Sequence, residues 1–600
     1  MGNTLRDQEE ALARVTDPFA QSALRLAYHV RRYALLYVCG ALGALALGLF
    51  PTVSGGELGG HLAAGGASNQ YGNAGQFQAG TSAGAGGLTA AGPGAASAGP
   101  AASSVASSAG PTSGAGVGGV QVGTGVTRGG FPCKPGVNQL PFSQYAAPCE
   151  AQFTGNNGGA TYNGVTPSAI TVAIRHTSDA NGANAQAANA QIEAAGGQSY
   201  DTVRGYTQKI VDYFNKTFEF YGRQIKLVDY NGQGNNTKEL LGQDQAGACA
   251  DADQAATSVH AFGDVNFEIN EEPDPFSQCA ARYHLYVPHG SAYFPESDFQ
   301  QLDPYVWNIA MNCQLISQES AEFIGKQLAF TPAKWAGNDG ALNMANTQRK
   351  FATYVPNNAG YQDCVALAKS IDQNQYHMSQ SQSDQYNYSL DISTFPQDAQ
   401  RAIVQFSSNH DTTVILACDP ISPIFLTQDA SQQNYHPEWM LNGVALTDED
   451  NWAQLWTPSE VNGHLFGLSQ NGSTQIALDP NGEAGQALKA AGVPLNPSSV
   501  LDYLQLLTIA DQIQAAGPTL NPQNLAAATH RLPVEGGPTG MAGTWHWGST
   551  HTAIIDSREI YWNGSKPSPA NNKQGTYLEI YGGKRFQVGQ FPSGQPPFYP

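Results

Sequence analysis

Charge is scarce in this chain. Only 13% of its residues are Asp, Glu, Lys or Arg, and 48 acids against 28 bases leave a formal net charge of −20. Nucleic acid is therefore not an expected partner, because its phosphates demand Lys and Arg. The acidic surplus says little about a small ligand, since bulk charge governs solubility and association more than a site. The short motifs of common enzymes are missing too. The part of the chain read below as folded has no Gly-x-Ser-x-Gly elbow and no Walker phosphate loop. No Cys-x-x-Cys or His-x-x-x-His spacing points to zinc. Neither a catalytic residue, a cofactor nor a metal site is expected on these grounds. His410-Asp411 and Trp545-His546-Trp547 look suggestive, but placement in loops accounts for both.

Long apolar runs are rare, with one exception. Residues 33–50 (YALLYVCGALGALALGLF) are uncharged and apolar, and a membrane helix needs about 17–25 such residues. Arg31 and Arg32 precede the run, so the positive-inside tendency places 1–32 in the cytoplasm and the rest outside. The polar lead favours a retained single-pass anchor in the cell membrane; a cleaved signal peptide is the rival reading. Cys39 is a weaker candidate for acylation, with Tyr37 and Val38 where small residues belong. The stretch 51–130 is rich in Gly, Ala and Ser and too poor in large apolar side chains to offset its ordering entropy. It reads as a flexible linker.

The other seven cysteines fall outside the membrane on this topology, where disulfides form. An odd number leaves one thiol over, or one bridge between chains. Cys133 and Cys149 mark 131–167 as a stapled segment ahead of the folded region.

From 168 onward the texture changes. Short β-branched runs (ITVAI at 170–174, QIKLVDY at 224–230, HLYV at 284–287) alternate with helical periodicity at 203–218 and 246–259. A second series follows: helix 317–328, strand 351–355, helix 362–371, helix 397–407, strand 412–417 and strand 439–441. Strands alternating with helices predict parallel sheets with crossover helices, and two series in tandem predict two lobes. Apolar spacing across 503–517 predicts a further helix ended by Gly517, with Asn521 as N-cap and Pro522 as first residue of the next.

Three places give the region 168–563 a resemblance to the type I periplasmic solute-binding proteins of the branched-chain amino acid type. VDYFN at 211–215 with YGRQIKLV at 221–228 looks like that family's first helix, Gly-Arg turn and second strand. YVPHGSA at 286–292 looks like a strand end and ligand-meeting loop, and 503–517 with the helix after it looks like a late helix pair. The resemblance implies an α/β fold of two Rossmann-like lobes joined by a hinge, preceded here by a transmembrane helix and a disordered linker. Lobe 1 would comprise 168–305 and 470–545, and lobe 2 306–469 and 546–590. It further implies capture of a small polar ligand for an ABC permease, and Cys249 with Cys279 as a disulfide pair. The acidic 262–276 stretch and the polar insert 373–391 depart from the family pattern and put the ligand class in doubt.

Ligands of open α/β sheets sit beyond the carboxyl ends of strands. That rule nominates His176, Thr177 and Ser178 after the first strand, and His289, Gly290, Ser291 and Ala292 after the 284–287 run. In the second lobe it nominates Tyr354, Tyr361, Asp419 and Thr447. A hydroxyl and backbone N–H groups around Ser291 could hold a carboxylate, and an ordinary turn is the alternative there. Asp419 could pair with a ligand amine, although Asp-Pro after a strand is also a turn signal. Asp448 and Glu449 read as solvated loop acids, and Trp452 and Trp456 as packing residues. Two other classes stay open: a receptor or scaffold that binds a protein partner, and an extracellular hydrolase whose hydroxyl nucleophile would lie beside a histidine.

Overall fold

The computed structural model describes residues 124–266, 274–291, 293–378 and 383–600. The anchor read at 33–50, linker residues 51–123 and the candidate Ala292 lie outside them. Among the described residues no helix is long and apolar enough to cross a membrane.

The first sheet is built on β1 (Ala169–His176), flanked in parallel by β2 (Gln224–Asn231) and β3 (Gly263–Asp264). Single parallel bridges extend it through Tyr286, the Val287–Val306 pair and the Asn308–Thr552 pair. Side chains of β1 alternate between two cores, as strand geometry demands. Val172 and Ile174 join the cluster formed with helices Tyr200–Thr217 and Pro497–Ala516. Ala173 joins the opposite cluster with Gln245–Thr257 and Pro275–Arg282. A sheet covered on both faces reads in sequence as a continuous apolar run, which is why 170–174 is legible. The 284–287 run is no regular strand: only Tyr286 and Val287 make bridges, because His284 takes a left-handed φ of 62° at its start and Pro288 closes its end.

Helix Pro497–Ala516 is buried over sixteen of its twenty residues. A helix that is apolar nearly all round belongs inside a domain. Its Tyr503 packs against Phe214 of helix Tyr200–Thr217. Two of its polar positions tie it to neighbouring segments: Asp511 accepts from Ala147 N (2.6 Å), while Gln514 accepts from Glu219 N (2.9 Å) and donates to Pro148 O (3.0 Å). These bonds dock the segment stapled by the Cys133–Cys149 disulfide onto the lobe.

The second sheet holds β4 (Phe351–Pro356), β5 (Ser383–Tyr388), β6 (Thr413–Leu416), β7 (Glu438–Leu441) and β8 (Leu465–Ser469), all parallel in the order β5-β4-β6-β7-β8. Antiparallel β9 (Ser557–Pro567) and β10 (Gln574–Glu579) extend it, and β11 (Arg585–Phe586) pairs with the start of β9. Helices Phe395–Ser408 and Ser422–Gln432 cover one face, and Cys313–Phe323 and Ala359–Tyr376 the other. The helix expected at 317–328 starts earlier, where the Asn312 side chain accepts from Leu315 N. It ends in a wider π turn, Ile324–Leu328, where Gly325 lies so close to Tyr376 that a Cβ would clash with the ring. β5 falls within the polar insert; as an edge strand it needs little apolar surface.

The chain passes between the sheets three times, and the three crossings run side by side. Met311 N donates to Gln470 Oε1 (3.2 Å), Ala553 N to Asn308 O (3.2 Å) and Ile554 N to Ile309 O (3.1 Å). Arg585 and Arg558 clamp the middle crossing by donating to the carbonyls of Gln470, Asn471 and Gly472.

Candidate functional site

The carboxyl ends of the two sheets face each other. Asn184, on the helix that follows β1, donates to Asp391, which follows β5 (3.3 Å). Asn358, which follows β4, donates to the Leu240 carbonyl in the segment after β2 (3.2 Å). Tyr293, beyond the Tyr286–Val287 segment, stacks on Tyr361 at 4.1 Å between ring centroids. Each of these contacts joins a segment beyond a strand end in one lobe to a segment beyond a strand end in the other.

Beside them, at the ends of β1 and β2, lies a cavity of about 260 Å³ walled by His176, Thr177, Asn181, Asn189, Tyr200, Asp201 and Asn231, among others. Its wall is mostly amide, hydroxyl and imidazole, groups that both donate and accept, with one carboxylate. The volume falls just below the roughly 300–1,000 Å³ of drug-sized ligand sites. His176 is held from behind: its Nε2 meets Asp229 Oδ1 at 2.9 Å, and Arg204 grips both oxygens of Asp229 at 2.6–2.7 Å. The Arg204 hydrogen bond outweighs burial and holds the Asp229 carboxyl below its ordinary range. Helix Ala183–Ala194, which carries Asn189 into this wall, also carries Asn184 to the other lobe. One helix thus contributes to the wall and touches the second lobe.

Of the residues nominated from sequence, this cavity gathers Thr177 together with His176. Ser178 is turned aside, its N and Oγ both donating to Gly234 O at 2.8 and 2.9 Å. His289 is buried with its ring nitrogens at the carbonyls of Val265 (2.9 Å) and Gln505 (3.2 Å), and burial pushes its pKa down to about 4. Ser291 is buried and accepts from Tyr293 N, a turn bond.

In the second lobe, Tyr354 stacks on Tyr388 at 4.4 Å inside the core. Tyr361 lines a separate small space of about 40 Å³ between the sheet and its helices. Asp419 accepts from Ile421 N, Ser422 N and Tyr388 OH, which is the turn arrangement, and burial raises its pKa. Thr447 is buried and donates to Val444 O at 2.7 Å. Asp448, read as a solvated loop acid, is buried and accepts from Ser469 Oγ at 2.6 Å. Trp452 and Trp456 are buried packing residues.

Asn181, Asn189, Tyr200, Asp201 and Asn231 escaped the sequence reading. Asn231 was within its reach, being the last residue of β2 and subject to the same strand-end rule as Thr177.

No family model matches the chain, and no curated protein matches it. Solved structures do. A possible leucine/isoleucine/valine-binding protein from Rhodopirellula baltica SH 1 is 11% identical with a TM-score of 0.45, covering 69% of this chain and 97% of its own. The branched-chain amino acid transporter substrate-binding protein LivJ from Streptococcus pneumoniae, in complex with isoleucine, is 12% identical with a TM-score of 0.46, covering 69% and 100%. An ABC transporter solute-binding protein from R. palustris, in complex with 4-hydroxybenzoate, is 12% identical with a TM-score of 0.48, covering 71% and 98%. At these values the chain is similar in outline only, and its own geometry has to carry the functional reading.

Proposed function

We propose that this chain is an extracytoplasmic solute-binding protein that captures a small polar molecule, an amino acid, an amide or a similar compound, by closing its two lobes, and presents it to an ABC permease. One observation carries the reading. Two α/β lobes with opposed strand ends touch each other beside a polar cavity walled by the first lobe, and are joined by three adjacent crossings. That is the architecture in which a hinge converts ligand contacts into domain closure. The mixed donor and acceptor wall suits a ligand carrying both kinds of group, and the run at 33–50 would hold the protein at the membrane.

Isothermal titration of the described region with amino acids, amides and small organic acids tests this. At least one compound is expected to bind with an affinity of micromolar or better. Thr177→Val and Asn231→Ala, which remove polar groups from the cavity wall, should each weaken it about tenfold, the cost of roughly one hydrogen bond. Absence of heat with every compound contradicts the proposal.

A further inference from the structure

At the end of the first sheet, away from the cavity, three segments distant in sequence converge. Asp303 directly follows helix Glu296–Leu302, His530 closes the end of helix Pro522–Thr529, and His551 precedes the Asn308–Thr552 bridge. One ring nitrogen from each histidine and one oxygen of Asp303 all lie within 4.8 Å of one another. We propose that Asp303, His530 and His551 form a binding site for a divalent transition-metal ion of the zinc type, with Glu296 orienting His551 from behind.

Four observations support the assignment. Two imidazoles and a carboxylate are the donor set that zinc takes with three protein ligands, the fourth position going to water. His551 is arranged as metal-bound histidines are: its Nδ1 meets Glu296 Oε1 at 2.8 Å while Nε2 points at Asp303 Oδ1 at 3.0 Å. A carboxylate behind the ring fixes the tautomer and raises the basicity of the opposite nitrogen. Glu296 is itself fixed, since it also accepts from the His551 backbone N. Finally, the His530 ring is held in place against Trp307, with its Nδ1 shut away from solvent.

A proton is the competing occupant. An imidazolium at His551 would satisfy Glu296 and Asp303, but it would leave the His530 ring outside the pairing and beside a positive charge. A metal ion draws on all three residues at once. The surroundings favour rigidity: Trp307 packs on both His530 and His551, at 5.1 and 4.6 Å between ring centroids, and Phe299 stacks on His551. Asn308 N donates to His551 O, so an ion here would also brace one of the crossings between the lobes.

Equilibrium dialysis of the chelator-treated protein against Zn²⁺, with metal analysis, and Co²⁺ titration followed by visible absorption test the site. One zinc per chain and a Co²⁺ spectrum of a four- or five-coordinate site are expected. His530→Gln and Asp303→Asn, at half-buried and exposed positions, should each weaken binding at least tenfold with the circular dichroism unchanged. Glu296→Gln should weaken it by roughly 10–100-fold without abolishing the Co²⁺ spectrum. No stoichiometric binding by the unaltered protein, or His530→Gln and Asp303→Asn variants that bind as tightly as it does, overturns the proposal.

Discussion

Asp502 shows what burial does to a single residue here. It lies at 2% exposure between helix Pro497–Ala516 and helix Tyr200–Thr217, with Thr207 Oγ1 at 3.2 Å from both its oxygens. Burial pushes its carboxyl up to about 8, against the lowering influence of Thr207 and Arg204. An unfolded aspartate loses its proton near pH 4. Between about pH 4 and 8 the folded chain therefore holds a proton that the unfolded chain has released. The group's favourable contribution is complete at the acid end and is lost as pH rises, by up to ~1.4 kcal/mol per pH unit. Asp502→Asn can still accept from Thr207 and does not ionise. In urea unfolding it should be more stable than the parent at pH 8, with the difference shrinking toward pH 4. A difference equal at both pH values contradicts this. The same inward satisfaction explains which site residues the sequence could disclose. His176 ends β1, Thr177 follows it, and both reach the cavity, whereas Ser178, His289 and Asp419 bond to backbone groups instead. The partners of Ser178 and His289 are brought near only by the tertiary fold, whereas Asp419 closes the local turn that its Asp-Pro sequence signals.

At the scale of elements, legibility followed burial only in part: β8, buried at all five positions, was not read, whereas the half-exposed β2 was. β1, β4 and β6 are enclosed on both faces and stand out as apolar runs; β5, at the sheet edge with the sequence SDQYNY, does not. β9 to β11, which close the other side of the second sheet, carried no alternation signal that was recognised. Disulfides were readable in part. Cys133–Cys149 and Cys249–Cys279 form as expected, but Cys313–Cys364, 51 residues apart, joins two helices of the second lobe that nothing in the sequence paired, leaving Cys418 buried and free. Loop-closure entropy for that separation corresponds to ~4 kcal/mol in the chain-entropy model, within the 2–5 kcal/mol usually lost with a native bridge. The Cys313→Ser/Cys364→Ser double variant should lose that much stability in denaturant unfolding while keeping the other two disulfides. A loss below about 1 kcal/mol would show that the packing of helices Cys313–Phe323 and Ala359–Tyr376 suffices alone.

For the whole molecule, the proposed closure would turn on the crossings. Arg558 and Arg585 fix the carbonyls of the middle crossing, and Arg585 is paired with Asp556 at 2.6 Å, so the proposed closure would turn about a braced segment. Against that brace the cross-lobe contacts include two polar bonds, Asn184–Asp391 and Asn358–Leu240, worth ~1 kcal/mol each, and the buried Tyr293–Tyr361 ring stack. Closure should therefore depend on a ligand contributing contacts of its own, since a ligand shifts a conformational equilibrium only by its differential affinity for the two states. Small-angle X-ray scattering of the described region, with and without the tightest-binding compound from the titrations, tests this most directly. The account predicts a smaller radius of gyration at saturation, and no change with the same compound when Thr177 and Asn231 are both replaced. A saturating ligand that leaves the scattering curve of the unaltered protein unchanged would contradict it.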